Sequence, residues 1–253
     1  MFGPWQLVVL FASGLAAGFV DSIAGGGGLI SLPVLLSFGV DPKRALGTSK
    51  LQSTFGAGSA AWHYARAGVV DLKDCRRGFA VTFLAAIGGT LAVQQLDPSF
   101  LRRFIPVLLG AVALYTLLKP QLGAEDIRPR LGRAGFDVIF GVVLGFYDGF
   151  FGPGTGTFWA MAFVLGAGFN LTKATGHTKV MNFASNISSL LFFLAAGQAV
   201  FSAGLAMGFG QLLGARIGSR MVVRRGTKFI RPIFISVVLV ITGRLIYQTF
   251  AAR

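Results

Sequence analysis

Residues 18–50, GFVDSIAGGGGLISLPVLLSFGVDPKRALGTSK, have a second copy in the same chain: residues 145–179 read GFYDGFFGPGTGTFWAMAFVLGAGFNLTKATGHTK. Asp21 aligns with Asp148, and Gly25 with Gly152, at an offset of 127 residues. After a two-residue insertion, Gly47, Ser49 and Lys50 align with Gly176, Thr178 and Lys179 at an offset of 129, which Ala67-Gly68 and Ala196-Gly197 keep. Each copy interrupts an apolar run with glycines, sets an Asp just before them and places a single Lys in the next apolar segment. Breaks at corresponding positions of two apolar halves are the sequence mark of a transport site.

Composition agrees with that setting. The chain of 253 residues is 54% hydrophobic and 13% charged, with a mean hydropathy of +0.70, which is the composition of an integral membrane protein. Its 36 glycines suit helices that approach closely through small residues, and its single cysteine excludes an intrachain disulfide. A net charge of +14 invites a nucleic-acid reading. The basic residues, however, sit in short loops between apolar runs, so no nucleic-acid partner is expected. The opening MFGPWQ has no Lys or Arg and no small-residue cleavage site follows, so no cleaved signal peptide is read.

Along the chain, an apolar run at 5–39 is broken at 21–28, and further apolar segments lie at 45–64, 78–96 and 104–118. A polar linker at 119–134 leads into a run at 136–166, broken at 148–156, and then segments at 174–196, 201–223 and 229–250. Pro106 in RRFIPVLLG and Pro232 in KFIRPIFIS extend the correspondence. The expected organisation is a transmembrane repeat at 1–118, a cytoplasmic linker at 119–134 and a second repeat at 135–253. If all eight segments simply cross, the loop and terminal Lys and Arg divide nine against ten, with no bias. If each glycine-broken segment is a re-entrant hairpin, the division becomes fourteen inside against five outside (Lys43, Arg44, Arg102, Arg103 and Arg253). The fold read from the sequence is therefore all-α: two inverted four-segment repeats, each a re-entrant hairpin followed by three transmembrane helices.

A break at membrane depth leaves backbone amides without partners, which is tolerated only in a protein-lined or wet cavity. Gly25, Gly26, Gly27 and Gly28 precede a half-helix whose N-terminal amides and dipole suit an anion. Gly152, Gly154, Thr155, Gly156 and Thr157 offer the same from the second half. The glycines also permit tight packing alone. The run lacks the GK[ST] ending of a nucleotide loop. Lys50 and Lys179, costly in a membranous helix unless paired or solvated, either hold the anion or neutralise Asp21 and Asp148. Around them Ser49, Gln52, Ser53, His177, Thr178, Asn182 and Asn186 form two polar clusters, with Lys179, Asn182 and Asn186 sharing one helical face. Asp21 and Asp148 are read as caps or lysine partners, with coupling to a proton or sodium ion as the functional alternative. No metal cluster, cofactor or hydrolytic residue set is read.

The GGGG run of the first segment, GTSK at 47–50, GPGTGT at 152–157 and GHTKVMNFASN at 176–186 together resemble the TauE/SafE family of sulfite exporters and toluenesulfonate uptake permeases. The likeness extends over nearly the whole chain. It implies a carrier in a bacterial inner membrane that moves sulfite, sulfonates, sulfoacetate or a related small anion, coupled to an ion gradient. The substrate and its direction stay open, as does a homodimer built on small-residue faces such as 204–218. A passive anion channel, and an intramembrane enzyme using Asp21 and Asp148 as an acid pair, are the alternatives from other classes.

Overall fold

A computed structural model describes residues 2–101, 103–105, 107–108, 111, 125–126 and 128–226. The helices among them are α1 (Pro4–Ala24), α2 (Gly28–Ser37), α3 (Pro42–Arg66), α4 (Arg76–Gln95), α5 (Arg133–Phe150), α6 (Thr155–Leu165), α7 (Leu171–Ala195) and α8 (Phe201–Arg225). The described residues contain no strand. The segment read at 229–250, most of the one at 104–118, linker residues 119–124 and 127, and the Pro106–Pro232 correspondence lie outside the described residues.

Local chemistry sets the helix ends. Asp41 precedes Pro42, whose missing N–H costs nothing in a first turn, and its Oδ1 accepts from the Lys43 amide at 3.0 Å. Asn170 caps α7 in the same way, accepting from the Lys173 amide at 3.0 Å. Arg224 and Arg225 occupy the last turn of α8, where cations complement the exposed carbonyls. Both breaks are shorter than the sequence implies. Asp21 and Asp148 lie inside the final turns of α1 and α5, because both helices continue to Ala24 and Phe150 before glycine takes over. The second run also starts earlier, at Arg133, after Gly132.

By length and composition, α1 and α4 are the described helices apolar and long enough to cross a membrane. The other long helices carry buried polar or charged side chains, Lys50 in α3, Lys179 in α7 and Gln211 in α8 among them. Helices α2 and α6 are short and apolar, at 10 and 11 residues. At 1.5 Å per residue each extends only about 15 Å, half a bilayer's hydrocarbon.

Helix directions follow from the packing. Gly14 and Gly18 lie directly on the backbone of Met207 and Gln211, and Gly210 and Gly214 on that of Phe11 and Leu15, so α1 and α8 run parallel with their backbones in contact. Gly145 and Gly149 lie on Thr82 and Ala86, making α5 and α4 the corresponding parallel pair. By contrast α3 and α7 are antiparallel: Gly47 meets Gln198, Gly58 meets Phe183, and Gly176 meets Val69 and Tyr64. Each half thus pairs its opening helix with a helix of the other half. The 204–218 face packs within the subunit, against α1 and α3.

Two apolar clusters occupy opposite ends of this arrangement. One holds α2 (Leu29, Leu32, Leu35) with Leu10, Phe151, Phe193 and Met207. The other holds α6 (Trp159, Phe163, Val164) with Ile23, Tyr64, Phe136 and Met181. The half-helices therefore approach the middle from opposite ends. Cys75, just before α4, is buried at 1% exposure, and burial pushes its thiol up to about 11. A fluorogenic maleimide is expected to leave the folded protein unlabelled at neutral pH and to react as it unfolds, giving a direct readout of the melt. Rapid labelling of the cold, folded protein would contradict this placement.

Candidate functional site

The two glycine breaks meet. At Gly25 φ is 78° and at Gly152 it is 95°, conformations that favour glycine. A side chain on Gly25 would fall 2.6 Å from the backbone of Gly156 and Thr157, and one on Gly28 would fall 3.1 Å from Pro153. The Thr157 hydroxyl reaches the Ala24 carbonyl at 3.4 Å, binding the loops together.

Around this contact lie two exchanged ion pairs. Lys50 of the first half sits on Asp148 of the second, with Nζ to Oδ1 at 2.6 Å and a further bond to the Asp148 carbonyl. Lys179 of the second half sits on Asp21 of the first, with Nζ to Oδ2 at 2.9 Å. Asp21 Oδ1 also accepts from the Gly27 amide at 3.2 Å, so the acid both pairs a lysine and holds a loop amide. On the other side the Ser185 hydroxyl donates to Asp148 Oδ2. Lys179 and Lys50 are 0% and 4% exposed, so desolvation makes these pairs obligatory: a lone charge here would cost several kcal/mol.

Between the pairs lies a small polar cavity of about 30 Å³. It brings together Asp21, Gly26, Gly28, Ser49, Lys50, Ser53, Asp148, Gly152, Gly154, Thr155, Gly156, Asn182 and Asn186. Phe151 and Pro153, which sequence reasoning did not select, complete its wall. Among the described residues, the amides of Gly26, Gly28, Gly154 and Gly156 meet no acceptor, and all four glycines line the cavity. Gly25 and Gly27 do not line it: their amides go to the Asp21 carbonyl and carboxylate. Asn182 Oδ1 is buried without a donor. The Thr155 hydroxyl is already used on the Gly152 carbonyl at 2.6 Å.

Several residues singled out from the sequence lie elsewhere. His177 packs among the rings of Phe163 and Phe169, with Nδ1 2.9 Å from the Lys173 carbonyl. The Thr178 hydroxyl donates to the Ala174 carbonyl. Gln52 is fully buried away from the cavity lining. Two positions apart on a helix is about 200° of rotation, so Gln52 and His177 face away from Lys50 and Lys179, whereas Ser53, Asn182 and Asn186 share the lysines' faces. Ser185 and the tyrosines Tyr64 and Tyr147 were not singled out. The Tyr64 hydroxyl donates to the Ser22 carbonyl and that of Tyr147 to the Pro153 carbonyl, both at 2.8 Å, bracing the two breaks.

The family model described as sulfite exporter TauE/SafE matches residues 10–245. A probable membrane transporter protein, YfcA, of Escherichia coli K12 is 45% identical, covering 98% of this chain and 93% of the relative. A probable membrane transporter protein of Haemophilus influenzae is 44% identical over 96% and 95%. Another from Sinorhizobium, ORF9, is 43% identical over 95% and 92%. No solved structure matches the chain.

Proposed function

The chain belongs to the sulfite exporter TauE/SafE family of membrane transporters, and from that premise we propose that it is a secondary carrier of small sulfur oxyanions working by alternating access. The observation that carries this reading is the cavity itself: four glycines whose amides lack acceptors line it, with the buried Lys50 beside them and the buried Lys179 held on the lining acid Asp21. Amides at half-helix N-termini bind an oxyanion without adding charge, and the lysines supply the balancing positive charge. Sulfite, a sulfonate or sulfoacetate presents three oxygens in a compact head that suits donors converging from two sides.

Alternation requires two related halves that exchange roles. The antiparallel α3 and α7, the exchanged pairs Lys50–Asp148 and Lys179–Asp21, and half-helices entering from opposite ends support an inverted repeat with two re-entrant hairpins. The repeats are 1–118 and 135–253, joined by a cytoplasmic linker, in the inner membrane of a bacterium. Backbone contact between Gly25 and the Gly156–Thr157 link closes the centre, which favours a carrier over an open pore.

The test is counterflow in proteoliposomes. Vesicles preloaded with unlabelled sulfite, sulfate or a short sulfonate are expected to accumulate the radiolabelled form saturably. Unitary currents without counterflow would replace the carrier with a channel. Absence of flux for every sulfur anion would remove the substrate class.

A further inference from the structure

Resting on that carrier reading, we propose that Asp21 is the proton-coupling site: it takes up a proton, releases Lys179, and the anion takes the carboxylate's place on the ammonium. The site looks basic in sequence but is neutral in structure, since each buried lysine already holds one carboxylate. An anion entering alone would leave an uncompensated negative charge in a low-dielectric interior. A proton placed on Asp21 Oδ2, the oxygen 2.9 Å from Lys179 Nζ, removes that excess. The balance is simple. With a singly charged anion, carboxylate and ammonium become carboxylic acid and an ammonium–anion pair, one proton entering with the anion and the site staying neutral.

Space points the same way. A cavity of about 30 Å³ accommodates a water or two, so a sulfur oxyanion fits only when part of the lining moves, and Asp21 belongs to that lining. One acceptor in that cavity, Asn182 Oδ1, still lacks a donor, and a protonated carboxyl would be one.

The two pairs are not equivalent, and the difference selects Asp21. Lys50 and Asp148 are each 4% exposed, and Asp148 is further held by Ser185. Asp21 is 16% exposed and its second oxygen accepts only from the Gly27 amide. The titratable groups facing Asp21 are Lys179 from α7, Tyr64 from α3 and, across the shared cavity, Lys50 from α3 and Asp148 from α5. Helices α2 and α6 contain no titratable side chain, and α8 meets this part of α1 through glycines and the neutral Gln211.

The experiment is calorimetric titration of the full-length protein in detergent with sulfite, sulfate and methanesulfonate. It is run at about pH 6 and about pH 8, in buffers of different protonation enthalpy. Wild type is expected to take up about one proton per methanesulfonate bound, with affinity falling about tenfold per pH unit. Asp21→Asn, whose amide oxygen can still accept from Gly27, should bind without proton uptake or pH dependence. For sulfite, which itself titrates, the readout is the difference between wild type and Asp21→Asn. Binding by wild type without proton uptake, sodium-dependent affinity in its place, or proton uptake that persists in Asp21→Asn would each overturn the inference and leave the carrier reading standing. Should no anion bind either protein, the carrier reading fails and this inference with it. If Asp21→Asn does not fold, the wild-type proton count decides alone.

Discussion

Lys50→Ala is expected to abolish anion transport and to lower stability by about 3–5 kcal/mol, because it leaves Asp148 buried and unpaired. Adding Asp148→Ala should recover most of that stability and none of the transport. A buried ion pair is nearly neutral as a unit: its attraction offsets the cost of dehydrating both partners, so removing both costs little while removing one costs much. The unfolding midpoint and the flux therefore separate in the double variant, and that separation distinguishes a lysine that binds the anion from one that only neutralises an acid. Transport that returns in the double variant would assign Lys50 to structure alone. The pair Lys173–Asp126 provides the contrast. It spans 3.9 Å, with its side chains 39% and 52% exposed, and Lys173→Ala at that pair should cost less than about 1 kcal/mol.

The sequence announces the parts of this site more clearly than their partners. The glycine breaks, the acids and the lysines stand out because charge and helix-breaking residues are rare in apolar runs, and all of them meet near the centre. Which acid serves which lysine was open, since both lysines had two candidates. The exchange across halves arises only when α1 pairs with α8 and α4 with α5, a tertiary fact with no local signature. Ser185 was overlooked because its repeat counterpart is Gly56, so the comparison that exposed the other residues was silent there. Gln52 and His177 were included for polarity alone, although their spacing from the lysines already turned them to other faces. The exact start of each break was also hidden: an Asp before glycines reads as part of a loop, whereas here each sits in a helical turn that the glycines end.

Gly25→Ala is the second substitution with a large expected effect, a loss of transport together with about 3 kcal/mol of stability. Two costs combine. At φ 78° and ψ 177° the backbone occupies a region that a side chain strains by about 1–3 kcal/mol. The added methyl would also stand 2.6 Å from the backbone of Gly156 and Thr157, so the two loops must part. Gly68→Ala provides the contrast. Its φ of 72° also favours glycine, but nothing lies within 4 Å of the new carbon, so it should lose about 1 kcal/mol and transport normally. A Gly25→Ala protein that keeps counterflow would show that the contact between the breaks is packing without function. Loss of flux in Gly25→Ala but not in Gly68→Ala instead ties transport to the meeting of the two loops, where the free amides of both halves face one cavity.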